Sequence, residues 1–123
     1  MSNKTDRQKA FKRGVWAERI AALYLMAKGY RIVARREQTP VGEIDLNARR
    51  GKTLAFIEVK ARSTPTEAAH ALGVNQRHRI ERAAVAWSAH RPWTAAMTLR
   101  FDVVWMGRGK LPQHIPNAWH LEL

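Results

Sequence analysis

Cysteine is missing from this chain of 123 residues, which excludes disulfides and cysteine-ligated zinc and fits a reducing, cytoplasmic setting. Long apolar runs are missing too: no stretch approaches the roughly 20 residues of a membrane-spanning helix. The basic N-terminus, MSNKTDRQKAFKRG, is not followed by the apolar core and cleavage site of a secretory signal. There is no glycine-rich phosphate loop, no Gly-x-Ser-x-Gly, no internal repeat and no low-complexity segment. The histidines, His70, His78, His90, His114 and His120, show no pairing at metal-ligand spacing and read as surface or packing residues. Acidic residues are scarce, 10 against 22 Lys and Arg, giving a net charge of +12 and a pI near 11.3. That surplus points to an anionic partner, nucleic acid ahead of membrane. The length is that of one domain with a modest core. We expect a loose basic arm over residues 1–10 and a single domain over 11–123.

With acids so few, their placement is informative. The stretch GEIDLNARRGKTLAFIEVKAR, residues 42–62, reads as two strands joined by a basic turn at Arg49-Arg50-Gly51-Lys52. Side chains alternate in face along a strand. Pairing about Arg50-Gly51 sets Asp45 opposite Phe56 with Glu58 on the next diagonal; a slip of two residues sets Asp45 opposite Glu58. Either register gives Asp45, Glu58 and Lys60 one face and Ile44, Leu46, Ile57 and Val59 the other, and only an odd slip separates them. Cross-strand neighbours stand roughly 4.5 to 8 Å apart, close enough for two carboxylates to share a hard divalent cation such as Mg²⁺. A lysine beside such a pair suits phosphodiester hydrolysis. The same spacing also fits a solvated Glu/Lys face. Leu54 and Phe56 on the charged face favour a covered surface instead.

The helix expected over residues 11–28 carries Val15, Trp16, Ile20, Leu23, Tyr24 and Ala27 at helical spacing and stops at Gly29. Glu18 lies on a row with Gly14, Ala21, Ala22 and Leu25; helix position alone favours an outward side chain beside Arg19 over an inward one. Residues 30–36 read as a short strand and 37–41, with Pro40, as a loop. A short helical piece follows Pro65 and ends at Gly73. A longer helix, capped by Asn75, spans residues 76–90 with Ile80, Ala83, Ala84 and Trp87 inside. Its first turns, Gln76-Arg77-His78-Arg79, are basic, which opposes the helix dipole and suits either phosphate binding or a solvated face. Residues 97–106 form a strand with Leu99, Phe101, Val103 and Trp105 on one side and Arg100, Asp102 and Val104 on the other. Gly107-Arg108-Gly109-Lys110 is a basic turn, and the tail through Ile115 and Trp119 adds an edge segment. The expected class is α/β, a central mixed β-sheet flanked by helices.

Asp45, twelve intervening residues and then Glu58-Val59-Lys60 resemble the D-(x)n-E-x-K signature of the restriction-endonuclease-like, or PD-(D/E)xK, nucleases. The chain is more closely similar to the YraN-type family of endonuclease-like proteins. The shared blocks are Gly14-x-x-x-Glu18, Gly29-Tyr30, Gly42-Glu43-Ile44-Asp45-Leu46, Phe56-Ile57-Glu58-Val59-Lys60-x-Arg62, Arg100-Phe101-Asp102-Val103-Val104 and His114-Ile115-Pro116-Asn117-Ala118. The resemblance spans about residues 14–119. It implies a restriction-endonuclease-like domain with Asp45, Glu58 and Lys60 at the edge of the sheet, and Mg²⁺ or Mn²⁺ held by the two acids and the Val59 carbonyl. Archaeal Holliday-junction resolvases of this superfamily carry a helix-borne glutamate facing the metal, so the resemblance brings Glu18 inward, to the metal or to a ligand of it. It also implies DNA as substrate, branched DNA included, a homodimer, and a basic residue near the start of the second long helix, where Arg77 or Arg79 serves; from the basic segments themselves, Arg62, Arg50 and Lys52 are further expected contacts to nucleic acid. The proline of the motif name departs from the pattern here, because Pro40 does not directly precede Asp45. A non-catalytic nucleic-acid-binding module on the same fold is the rival expectation, and a basic scaffold for an acidic protein is a third. Carboxylates clustered where phosphates must approach disfavour both.

Overall fold

The computed structural model describes residues 4–107 and 109–119; the side chains of residues 4–13, 65 and 69 are not among those described. Residues 1–3 of the expected arm, Arg108 and His120 lie outside the described residues. Helix α1 (Lys4–Ala27) is followed by strands β1 (Arg31–Thr39), β2 (Gly42–Arg50) and β3 (Thr53–Ala61), helices α2 (Pro65–His70) and α3 (Val74–Ala89), a 3-10 turn at Pro92–Ala96, and strands β4 (Thr98–Met106) and β5 (Gln113–Trp119). The strands form one five-stranded sheet in sequential order, antiparallel except for the parallel pair β3 and β4. A parallel neighbour requires a crossover, and α2 and α3 supply it. The arrangement is the expected single α/β domain with a mixed sheet flanked by helices, and is consistent with a restriction-endonuclease-like fold.

Helices cover both faces of the sheet. Against α3, Leu54, Phe56, Phe101, Val103 and Trp119 meet Ile80, Ala83, Ala84 and Trp87. Phe56 stacks on Phe101 at 5.8 Å and meets Trp87 edge-on at 6.0 Å, the geometries that aromatic quadrupoles favour. Against α1, Leu46, Ala48, Ala55, Ile57 and Val104 meet Ala21, Ala22, Leu25 and Tyr30.

Several local expectations need correction. Helix α1 begins at Lys4, ahead of the start read from periodicity, and it buries the other stripe. Trp16, Ile20 and Leu23 are exposed, whereas Ala21, Ala22 and Leu25 are buried with Glu18. Small side chains let a helix axis come close to a sheet, so the alanine row faces in. The 37–41 loop is mostly strand: β1 continues to Thr39, and the Thr39 hydroxyl donates to the Gly42 carbonyl across a tight turn at 2.7 Å. Gly73, not Asn75, is the N-cap of α3, with no side-chain cap bond. Ile44 does not share a face with Leu46; it packs with Leu54 and Phe56 on the α3 side.

Candidate functional site

The exchange of faces at Ile44 marks where the hairpin divides. The β2–β3 pairing runs from Arg50↔Thr53 to Leu46↔Ile57, the register that leads Asp45 towards Glu58. Beyond it the Val59 amide donates to Asp45 Oδ2 at 2.9 Å. A carboxylate thus takes the amide that a β2 carbonyl would otherwise accept, and β2 is released to turn away. The divergence forms a fork with Asp45 on one arm and Glu58, Val59 and Lys60 on the other.

Glu58 is 8% exposed on the α3 side of this fork, with its Oε1 3.3 Å from Lys60 Nζ. Gln76, in the first turn of α3, leans on the same pair. With its amide turned to satisfy both ends, it donates to the Ala71 carbonyl at 3.1 Å and accepts from Lys60 Nζ at 3.1 Å. Burial pushes the Glu58 carboxyl up to about 8, helped by the Asp45 charge and opposed by Lys60. Burial also raises Asp45, against the Val59 amide bond that lowers it. A protonated Glu58 therefore donates to Asp45, as expected of two crowded acids short of positive charge.

Glu18 reaches the fork from α1, inward as the resemblance implied and against the preference from helix position. Its pKa is raised, first by burial and then by Asp45, while Arg36 lowers it. Carboxylate oxygens of Glu18, Glu43 and Asp45 lie within 4.8 Å of one another. Beside them a cavity of about 390 Å³ is bounded by Gly14, Ala17, Glu18, Val59, Lys60 and Arg62. Glu18, Asp45, Glu58 and Lys60 are thus brought together from three elements, with oxygen donors that suit a hard cation.

The basic residues divide into two groups. Arg62 borders the cavity, and Arg77 stands one residue beyond Gln76 with its Nε buried and unpartnered. Arg79 lies against Gly42, where an added Cβ would meet its Cγ at 3.0 Å. Gly42 also has a φ of 153°, which favours glycine. Arg50 and Lys52 sit at the closed end of the hairpin, about 17 Å along the strand from Asp45 at 3.3 Å per residue. Arg50 is tied to the α1 terminus through the Lys28 carbonyl at 3.2 Å and lies over the Tyr30 ring at 4.8 Å. Sequence reasoning missed Gln76, Arg36 and Glu43; for Glu43 the signal was its place one residue before Ile44-Asp45 in a shared block.

A second polar cluster lies on the α1 side of the sheet. Asp102, with no exposed surface, receives Arg100 Nε at 2.8 Å and Nη2 at 2.7 Å, and the Asn117 amide at 2.9 Å. His114 Nε2 is 2.7 Å from the same carboxylate, while Nδ1 is 2.7 Å from Lys28 Nζ. Arg100 and Asp102 thus pair with each other, not with the hairpin, and His114 is a bonded member of the same cluster. Among the described residues, no helix is long and apolar enough to cross a membrane.

Comparison with known proteins matches the family model described as "Uncharacterised protein family UPF0102" over residues 17–106. A UPF0102 protein of Rhodopseudomonas palustris strain HaA2 is 52% identical over 114 residues, covering 93% of this chain and 89% of the relative. One from Caulobacter vibrioides strain NA1000 is 51% identical over 110 residues, covering 89% of this chain and 88% of its own. With the match running from α1 through β4 and taking in the whole fork, the chain belongs to the UPF0102 family.

Proposed function

We propose that this protein is a metal-dependent endonuclease of the restriction-endonuclease-like kind, hydrolysing phosphodiester bonds in DNA, with branched DNA the first substrate class. The observation that carries the reading is the fork itself: half-buried Asp45, buried Glu58, the Lys60 amine and the inward Glu18 converge beside a cavity on a strongly basic chain. A solvated charged face needs no such burial.

Asp45, Glu58 and the Val59 carbonyl would hold Mg²⁺ or Mn²⁺, with Glu18 beside them; such an ion activates water and offsets charge on the departing oxygen. The chain's own groups do the rest. Lys60, held by Glu58 and Gln76, orients the attacking water and faces the phosphate. Arg62, which borders the cavity, and Arg77 and Arg79, early in α3, would grip the backbone. Arg50 and Lys52, at the far end of the hairpin, contact flanking nucleic acid.

The test is cleavage in Mg²⁺ and in Mn²⁺ of four-way junction, flap, duplex and single-stranded DNA, and of RNA, with Lys60→Ala alongside. Cut DNA with wild type and none with Lys60→Ala is the expected result. Tight, salt-dependent binding without cleavage of any substrate would leave the chain a nucleic-acid-binding module.

The Glu58 proton adds a pH signature. Between about 4.5, the ordinary value, and about 8 the unfolded chain has lost this proton and the folded chain keeps it. Without a cation, stability from this group therefore falls as pH rises through that window. A cation must displace the same proton, so its affinity should rise about tenfold per pH unit up to near 8 and then level off. Calorimetric titration with Mn²⁺ at pH 6, 7, 8 and 9 checks this, and a flat profile would remove Glu58 from the ligand set.

A further inference from the structure

The Glu18, Glu43 and Asp45 carboxylates crowd together on the α1 side of the fork, and a cation of the chain's own already stands among them. Arg36 Nη1 donates to Glu18 Oε2 at 3.0 Å, and Nη2 lies 3.9 Å from Glu43 Oε1. Its backbone is unusual: φ at Arg36 is 51°, a left-handed conformation that non-glycine residues enter only at a cost in strain. The ladder on either side is in phase, Arg35↔Leu46 and Glu37↔Ile44. The left-handed residue thus leaves the register next to it intact and sits level with Asp45.

We infer that Arg36 is a positioning residue that takes the place of a second divalent cation, so that the site holds one ion and not two. The inference rests on the metal-dependent reading above. Two-ion phosphodiesterases place their cations roughly 3.5–4 Å apart with a carboxylate between them. Here Asp45 stands between the Glu58 arm and the Glu18 and Glu43 pair, which is the layout for two ions. One half, however, is filled by a guanidinium, which bridges carboxylates from α1 and β2 with donors in a fixed plane. Arg36 also holds Glu18 towards the fork through the same bond. An ion entering this half must first displace a bonded, positively charged side chain.

The experiment counts ions on the full chain. Mn²⁺ binding is followed by calorimetry and by loss of the free-ion paramagnetic resonance signal, for wild type, Arg36→Lys, Arg36→Met, Arg36→Gln and Arg36→Met with Glu43→Gln. Amide NMR spectra confirm folding, and Arg36→Gln stands in if Arg36→Met does not fold. One ion is expected in wild type and in Arg36→Lys, two in Arg36→Met or Arg36→Gln, and one again when Glu43→Gln is added. Two ions in wild type, or a single ion in both neutral variants, would overturn the assignment of Arg36 and leave the metal site standing. No ion in any folded chain would overturn the metal-dependent reading itself.

Discussion

Asp45→Asn or Glu58→Gln will reduce metal-dependent cleavage by about a thousandfold or more, while affinity for DNA stays level or rises. Both substitutions keep the shape of the side chain and remove its charge. An asparagine in place of Asp45 would retain an oxygen to accept the Val59 amide, and Glu58 is already protonated up to about pH 8 when no cation is present. Neither variant should therefore lose its fold, and each relieves a crowded acid pair. Loss of a carboxylate from a surface that meets phosphate also removes a repulsion, which is why binding does not suffer. Cleavage rates and binding curves on the same preparations separate the two effects. Cleavage at the wild-type rate in both variants would sink the metal-dependent mechanism. Weakened binding in both would mean the acids act on the fold.

Asp102→Ala is the change expected to cost most stability, on the order of 3–5 kcal/mol, because it strips the partner from buried charge. One fully buried carboxylate holds the Arg100 guanidinium through two atoms, the His114 ring and the Asn117 amide. Asn117 has a φ of 52° at the irregularity in β5, so this carboxylate also pins the edge strand. His114 links the cluster to Lys28 at the end of α1. Burial raises the Asp102 pKa, but the His114, Arg100 and Asn117 bonds outweigh it and the net shift is downward. The group therefore contributes stability above the ordinary carboxylate range that is lost as pH falls through its folded value. A fall in Tm of roughly 12–30 °C for a domain of this size, at 4–6 °C per kcal/mol, checks the prediction by thermal melting at pH 7. A shift under about 4 °C would mean the cluster is solvated in solution.

Much of the fork was legible because strand alternation needs only parity. Any even register puts Asp45 and Glu58 on one face, and parity about the Arg50-Gly51 turn did bring them near each other, although the divergence of β2 leaves Asp45 on the α1 side of the fork and Glu58 on the α3 side. Burial of Leu54 and Phe56 on that face followed from their size. The divergence of β2 was not legible, since a carboxylate accepting the Val59 amide is a tertiary contact that periodicity cannot encode. That contact moved Ile44 across the sheet. Glu18 was misread from helix position because α1 carries its largest apolar residues outside and packs through alanines; a count of apolar side chains selects the wrong stripe. Arg36 was invisible for a different reason, because a left-handed arginine leaves no mark in composition or spacing. Gln76 lay in plain sight as a helix-start residue, but its contact with Lys60 depends on how the crossover seats α3.

The fork also has a mechanical side. Five paired rows, Leu46↔Ile57 to Arg50↔Thr53, bind its base, whereas the Asp45 and Val59 tips meet through a side chain. A side chain yields by bond rotation where a ladder of amides yields by breaking. The tips can therefore open by tenths of an ångström without disturbing the base. On the proposed metal-dependent reading, a clamp stiff at the hinge and compliant at the jaws would adapt to ions of slightly different radius, and Mn²⁺ would serve beside Mg²⁺ because of where the hydrogen-bond ladder stops.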